Sequence, residues 1–285
     1  MVKSRKINVT VLKCIQGGAA MQAGVYQAKK KDGTIYYRSS ITFSGKHISL
    51  GSYGTEDAAH KAYLLADHIL HDTSFTLLTY TEQKDIPLSF SKWVVLLNFR
   101  DNQIYIKTPI YLYKTYFYYY FGPEDFLIFD SDDLFYYSTR TISRRGGHLF
   151  VSDYGMQVNI LSRYGIKNYA VAGRDYQFAN GNNSDYRYEN IIVINRFHGV
   201  FHKNKNGKSF YETRIHYKGE WIVGRYQNEI EAAIAYNKAA STLIKKGYIR
   251  DYPVNYIEEL TDTEYHSLYM SVPISKKLLA LTSLL

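Results

Sequence analysis

One segment of this chain occurs twice. Gly24–Val25–Tyr26 opens one copy and Gly199–Val200–Phe201 opens the other. Each copy continues through a Lys-rich turn, an aromatic–Tyr pair (Tyr36–Tyr37, Phe210–Tyr211) and a central Ile to a turn glycine, Gly45 or Gly219. A Gly-x-Tyr follows (Gly51 to Tyr53, Gly224 to Tyr226), then Ala-Tyr (Ala62–Tyr63, Ala235–Tyr236), with constant displacement between the copies over this stretch. Matched spacing of this length is not chance. It requires one supersecondary unit built twice, far apart in the sequence.

The periodicity says what that unit is. In the second copy Tyr211, Thr213, Ile215 and Tyr217 alternate with Glu212, Arg214, His216 and Lys218. That is the period of a half-buried strand. In the first copy Ile35, Tyr37, Ser39, Ile41 and Phe43 alternate with Tyr36, Arg38, Ser40 and Thr42. A glycine turn then reverses the chain into a third strand, with Ile48 and Leu50, or Trp221 and Val223, facing inward. Beyond Thr55 the run Glu56 to Ala66 is helical, with Thr55 as N-cap and acids in the first turn. Its alanines let the helix lie close to the sheet. Each copy is predicted as three antiparallel strands backed by one helix, with a polar outer sheet face.

The copies divide the chain into residues 1–20, an N-terminal segment; 21–75, the first repeat; 76–195, a middle region; 196–250, the second repeat; and 251–285, a helical tail. The middle is rich in strand formers: Trp93–Phe99, Gln103–Lys107, Ile110–Phe121 and Phe126–Phe129. Gly146–Gly147 marks a hairpin after Thr139–Arg145, and Phe126–Tyr137 reads as strand, turn and helix start. Residues 173–190 are dense in Asn, Asp and Gly and read as loop, and Ile191–Ile194 follows as a short apolar element. In the tail, Ile257 to Met270 is an acidic helix candidate bracketed by Pro253 and Pro273. The fold class is α+β: two three-stranded antiparallel sheets, each backed by one helix, joined by a β-rich middle.

Composition narrows the function. A formal net charge of +9 is the footprint of a polyanion binder. The 30 tyrosines and 14 phenylalanines supply strands and cores, or platforms for stacked bases. The single cysteine, Cys14, excludes a disulfide framework and any multi-cysteine metal site. No apolar run approaches the roughly 18 residues of a spanning helix. The basic start, Met1–Lys6, leads into no apolar stretch, so no secretory signal is expected and a cytoplasmic protein is. His198 and His202 are spaced i, i+4, but a glycine follows His198 and the segment reads as strand, which speaks against a zinc pair, and Asp130, Asp132 and Asp133 lack the rest of a calcium loop. No cofactor and no metal is expected.

The two repeats resemble the Apetala/ethylene-response-factor DNA-binding domain, also found in bacterial and phage integrases and homing endonucleases. The resemblance implies a sheet lying in the major groove of double-stranded DNA with the helix packed behind it. By matched position the DNA-contacting candidates in the first copy are Tyr26, Arg38, Ser40, Thr42 and His47, with Lys29, Lys30 and Lys31 in the hairpin loop. In the second they are Phe201, Lys203, Lys205, Glu212, Arg214, His216 and Lys218. The plant members carry more Arg and Trp on this face, so their base code does not transfer.

Part of the middle resembles the HNH nuclease fold that often precedes this domain in bacteria and phages. It spans Asn180 to Ile191, where working members resemble His-His-Ile-Asp-Gly-Asn followed by Asn-Asn-Arg-x-x-Asn-Leu. Here the paired histidines fall on Gln177–Phe178, neither of which takes a proton at neutral pH, and the Asp falls on Asn180. Gly181, Arg187, Asn190 and Ile191 are retained. The resemblance therefore implies a degenerate nuclease with no catalytic residue, and a nucleoid-associated bacterial regulator or mobile-element accessory factor. The alternative is a working HNH-type or homing endonuclease, in which His148 with Asp153 or Asp175 is a displaced base. A third class is a structural or RNA-binding protein using the tyrosine-rich middle.

Overall fold

The computed structural model describes residues 21–80, 87–168, 170–248 and 250–282. Cys14 and the basic start lie outside these residues. The fold is α+β, and the chain divides into two compact units, one ending at Tyr105 and the other beginning at Ile106. Among the described residues no helix is long and apolar enough to cross a membrane.

The first unit holds strands β1 (Val25–Lys29), β2 (Ile35–Phe43) and β3 (Lys46–Tyr53) and helices α1 (Glu56–His71) and α2 (Phe90–Asn102). The sheet is antiparallel in the order β1-β2-β3. Thr55 caps α1 by accepting the Ala58 N–H at 3.2 Å. Ala59, Ala62 and Ala66 are fully buried, so α1 lies directly on Ile41, Ile48 and Leu50. The segment Trp93–Phe99, expected as strand, is the middle of α2. It is buried on every side, so it carries no amphipathic period by which helix and strand differ. Ser89 caps it, accepting the Lys92 N–H. Although expected in the middle region, α2 packs on α1, and its Arg100 donates to the carbonyls of Ile69, Asp72 and Phe75. Gln103–Lys107, also expected as strand, has no strand pairing.

The second unit begins with β4 (Ile110–Leu112), β5 (Tyr116–Tyr120) and β6 (Phe126–Asp130), an antiparallel sheet that leads into the short α3 (Leu134–Tyr137). A second meander follows: β7 (Ile142–Arg145), β8 (His148–Asp153) and β9 (Met156–Asn159), with Gly146–Gly147 at the first turn. A two-stranded ribbon, β10 (Tyr176–Phe178) with β11 (Ile191–Val193), closes the expected Asn-rich loop. Phe117, Phe129, Tyr137, Ile142, Val151 and Ile160 share one core. Of the middle's strand tyrosines, Tyr119, Tyr120 and Tyr176 are buried, whereas Tyr111, Tyr116 and Tyr118 are half-buried.

The second repeat comprises β12 (Val200–Lys205), β13 (Lys208–His216), β14 (Glu220–Tyr226) and α4 (Glu229–Lys245), followed by α5 (Asp262–Ser271) and α6 (Lys276–Leu279). The acidic helix expected from Ile257 begins only at Asp262, where Thr261 and Glu264 form a capping box. The tail is not a separate element. Tyr252, Val272, Ile274 and Leu278 join the core around α4, and Ser275 donates its N–H to Val223.

The copies agree in details that the alignment alone does not reveal. In each, the register of the last two strands shifts by one residue, leaving Leu50 or Val223 extra. In each, Ser40 or Arg214 donates its N–H to the carbonyl of the opening glycine, Gly24 or Gly199. That glycine has positive φ, and a Cβ on Gly199 would fall 2.3 Å from the Tyr236 ring. The opening Gly and the Ala-Tyr of the helix are therefore one contact. The Gly-x-Tyr is another. Tyr226 folds back over Gly224 and donates to the Pro273 carbonyl at 2.7 Å, as Tyr53 does to Pro87 at 2.6 Å. Pro87–Leu88–Ser89 and Pro273–Ile274–Ser275 then each lead into a helix, so the repeat runs further than its sequence match.

Candidate functional site

The polar outer face of the second sheet is set by the alternation of β13 and by cross-strand register. Thr213 and Ile215 are buried towards α4. On the opposite face, Lys203 stands beside Phe210, Phe201 beside Glu212, Glu212 beside Arg225, and Arg214 beside Ile222. His216 faces Glu220, with Nδ1 and Oε1 3.4 Å apart. Lys205 and Lys208 pair at the tip of the first hairpin.

Glu212, expected to face the groove, is only 4% exposed. Two arginines cover it. Arg214 places Nε and Nη2 on Oε1 at 2.9 and 2.6 Å, and Arg225 places Nε on Oε2 at 3.0 Å. Burial alone would raise the carboxyl; the arginine hydrogen bonds outweigh it and hold Glu212 below the ordinary value. The two guanidiniums remain 36% and 59% exposed at the side chain. Glu212 therefore acts as a positioning residue: one carboxylate fixes two outward-facing forks and leaves net positive charge. Arg225 was absent from the sequence candidates. Its place as the middle residue of the second repeat's Gly-x-Tyr, opposite Glu212 in register, is the signal that marks it.

The second copy's other candidates sit as expected on or beside this face. Lys203, Lys205 and His216 are exposed on their strands, and Lys218 lies in the turn with φ of 47°. Phe201 is half-buried, with Arg214 stacked 5.5 Å from its ring centroid.

The first copy presents the same scaffold with different chemistry. Tyr26 is 58% exposed and pairs with Arg38, whose Nη2 donates to the Tyr36 hydroxyl at 2.9 Å. Thr42 and His47 face each other at 3.5 Å. Ser40, expected as a contact, is buried at 7% exposure, and its hydroxyl has no hydrogen-bond partner among the described residues. A side chain this short does not emerge between its neighbours at the register shift. Lys29 shares the strand side of Val25, the side facing the helix, so alternation removes it from the Tyr26 face. Lys30 and Lys31 are exposed in the hairpin turn. By register Arg38, Ser40 and Ser52 occupy the places of Glu212, Arg214 and Arg225.

The Asn-rich segment of the middle is tied up internally. Buried Asp185 accepts from Asn180 and, in bidentate fashion, from Arg187; Asn190 bonds the Asp185 carbonyl and the Asn180 N–H. Burial raises the Asp185 carboxyl, but the Arg187 bonds prevail and lower it. Gln177 is exposed on β10 and Phe178 packs on the core. His148 lines a cavity of about 260 Å³ with Arg144, Asn159 and Tyr186. Its expected carboxylate partners are engaged elsewhere, Asp153 by Arg140 and Asp175 by Lys167 and Arg174. Among the described residues no three His, Cys, Asp or Glu side chains are grouped to hold a metal ion.

No family model, curated protein or solved structure matches this chain.

Proposed function

We propose that this chain is a sequence-specific double-stranded DNA-binding protein whose second repeat is the stronger reader. The observation that carries the reading is the Arg214–Glu212–Arg225 arrangement on an otherwise solvent-facing sheet. Planar arginine forks held by a carboxylate match the paired acceptors of guanine in the major groove. Lys203, Lys205 and Lys208 at the hairpin suit phosphates. The net charge and the resemblance of both repeats to the Apetala/ethylene-response-factor domain support the same reading. Tyr26, Arg38, Thr42 and His47 form a second, weaker face. A role as a bacterial regulator or mobile-element accessory factor follows from that resemblance.

The test is selection of bound duplexes from a random pool, followed by affinity measurement over a salt range. Expected are an enriched G-containing site and a log–log salt slope of about −0.9 per phosphate contacted. Failure to retain any duplex at low salt sinks the reading. With Gln177–Phe178 at the position of the paired histidines, the selected duplex is expected to remain intact in magnesium, manganese or zinc.

A further inference from the structure

The reading face of the second repeat does not end at the repeat. Strand β12 is an edge strand, and its His202 N–H points away from β13 to the side chain of Asn195 at 2.7 Å. Asn195 is in turn bound to the turn at Arg174–Asp175. Its N–H goes to the Asp175 carbonyl at 2.9 Å, and its Nδ2 to the Arg174 carbonyl at 2.5 Å. The sheet edge is thus fastened to a turn of the middle region. That turn carries a second carboxylate with two cations. Asp175 is fully buried; Lys167 Nζ lies 2.8 Å from Oδ1, while Arg174 places Nε and Nη2 on Oδ2 at 3.0 and 2.8 Å.

The two cations are not equivalent. Lys167 is 7% exposed at the side chain and neutralises the buried charge. Arg174 is 53% exposed, and its Nη1 makes no hydrogen bond among the described residues. Balancing Asp175 needs one cation. The second leaves a net positive charge facing outward, as at Glu212. The rings and charges converge: Arg174 lies 5.9 Å and Lys167 5.7 Å from the centroid of Phe201, the ring that also carries Arg214. Two overcharged carboxylate clusters, one from each region, therefore flank a single aromatic.

We propose that Arg174, held by Asp175 in the turn fastened to the edge of β12, is a phosphate anchor for the duplex read by the second repeat. This rests on the duplex-binding reading. It gives the middle region a part in recognition that needs no nuclease chemistry. A phosphate is the fitting ligand because the guanidinium stands at the rim of the face, where the sugar–phosphate backbone passes and base edges do not.

The experiment compares wild type with Arg174→Ala, Arg174→Lys, Arg225→Ala and Arg145→Ala on the selected duplex and on an unrelated one. Arg145 is an exposed cation of the same unit, on β7. Expected for Arg174→Ala is a second unit that still folds cooperatively with a modestly lower melting temperature, because Asp175 keeps Lys167, together with equal weakening on both duplexes and a salt slope shallower by about one. The advantage of wild type over that variant should then shrink about three- to fourfold between 50 and 200 mM salt. Arg174→Lys should restore the slope, and Arg145→Ala should match wild type. If Arg174→Ala keeps wild-type affinity and slope while Arg225→Ala loses binding, the anchor is refuted and the reader stands. Equal losses in Arg174→Ala and Arg145→Ala would reduce the effect to bulk charge and also refute it. If wild type itself fails to bind any duplex, the underlying reading falls.

Discussion

Gly199 shows how a single missing Cβ joins strand to helix. Its φ is +68°, and an added Cβ would meet the Tyr236 ring at 2.3 Å and the Arg214 carbonyl at 2.4 Å. Backbone cannot yield as a flexible side-chain tip does. Gly199→Ala should therefore destabilise the second unit by about 2–4 kcal/mol, from overpacking plus the left-handed backbone. Thermal or urea unfolding of the second unit measures this, and a loss under about 1 kcal/mol would contradict the packing argument. Glu212 makes the opposite kind of case, a buried charge whose value lies in its neighbours. Glu212→Gln should weaken specific duplex binding although the carboxylate touches no base, because Arg214 and Arg225 lose their common anchor. Its stability loss should be about 1–2 kcal/mol, since both arginines are partly screened by solvent. Undiminished selectivity in this variant would remove Glu212 from the positioning role. Alternation along β13 was legible and put Glu212 on the correct face. Its burial was not, because the covering Arg225 comes from the next strand and period alone says nothing of what lies opposite. Ser40 failed for a related reason: parity gives a side chain's face, not its height above it.

At the scale of elements, the strands and helix of each repeat were legible because glycine turns, alternation and caps agree locally. The tail was not, because its partner is a helix already assigned to the repeat. Asn237 and Asn255 exchange hydrogen bonds at 2.8 and 2.9 Å, and Lys238 donates to the carbonyls of Met270 and Val272. A chain ending at residue 250 should therefore fail to fold its second repeat, despite retaining every residue of the sequence match. Loss of cooperative unfolding in the second unit is the expected result; a full-length melting profile from the truncated chain would show the tail dispensable. The clusters that join elements also set the acid response. Burial raises Glu212, Asp175 and Asp185, but their cationic hydrogen bonds outweigh it, leaving each below its ordinary value of 4.5 or 3.8. A depressed carboxylate contributes stability that is fully present above the ordinary value and lost as pH falls through the lowered one. His198 acts in the same sense from higher pH: burial, with Lys167 nearby, lowers it from 6.5, so protonation opposes folding. The urea midpoint of the second unit should fall slightly below about pH 6.5 and steeply below about pH 4. Glu212→Gln should flatten the steep limb, and an unchanged limb would assign it to other groups.

At the scale of the whole molecule, duplication makes two faces from one frame, and the register shows that their charge is unequal. The second outer face carries Lys203, Lys205, Lys208, Arg214 and Arg225 against Glu212 and Glu220, with Arg174 at its edge. The first carries Arg38 among Tyr26, Tyr36, Thr42, His47 and serines, with Lys30 and Lys31 confined to its hairpin turn. The duplication was legible from glycines and tyrosines because those residues serve packing, which both copies share. The inequality was not, because it depends on which positions oppose one another across three strands. On the proposed duplex-binding reading, two linked faces of unequal strength gain affinity through effective concentration only when one duplex carries both sites. Loss of the stronger reader should then leave little binding, whereas loss of the weaker should leave the stronger site intact. Arg214→Ala is expected to lower affinity for the selected duplex by about 1–3 kcal/mol and to blur the preferred bases. Arg38→Ala is expected to lower it less, to keep those bases, and to abolish any preference for a second site at fixed spacing. Parallel selections with the two variants make the comparison. If Arg38→Ala costs as much affinity as Arg214→Ala, or erases the same bases, the two faces are equal partners and the ranking drawn from their charge is wrong.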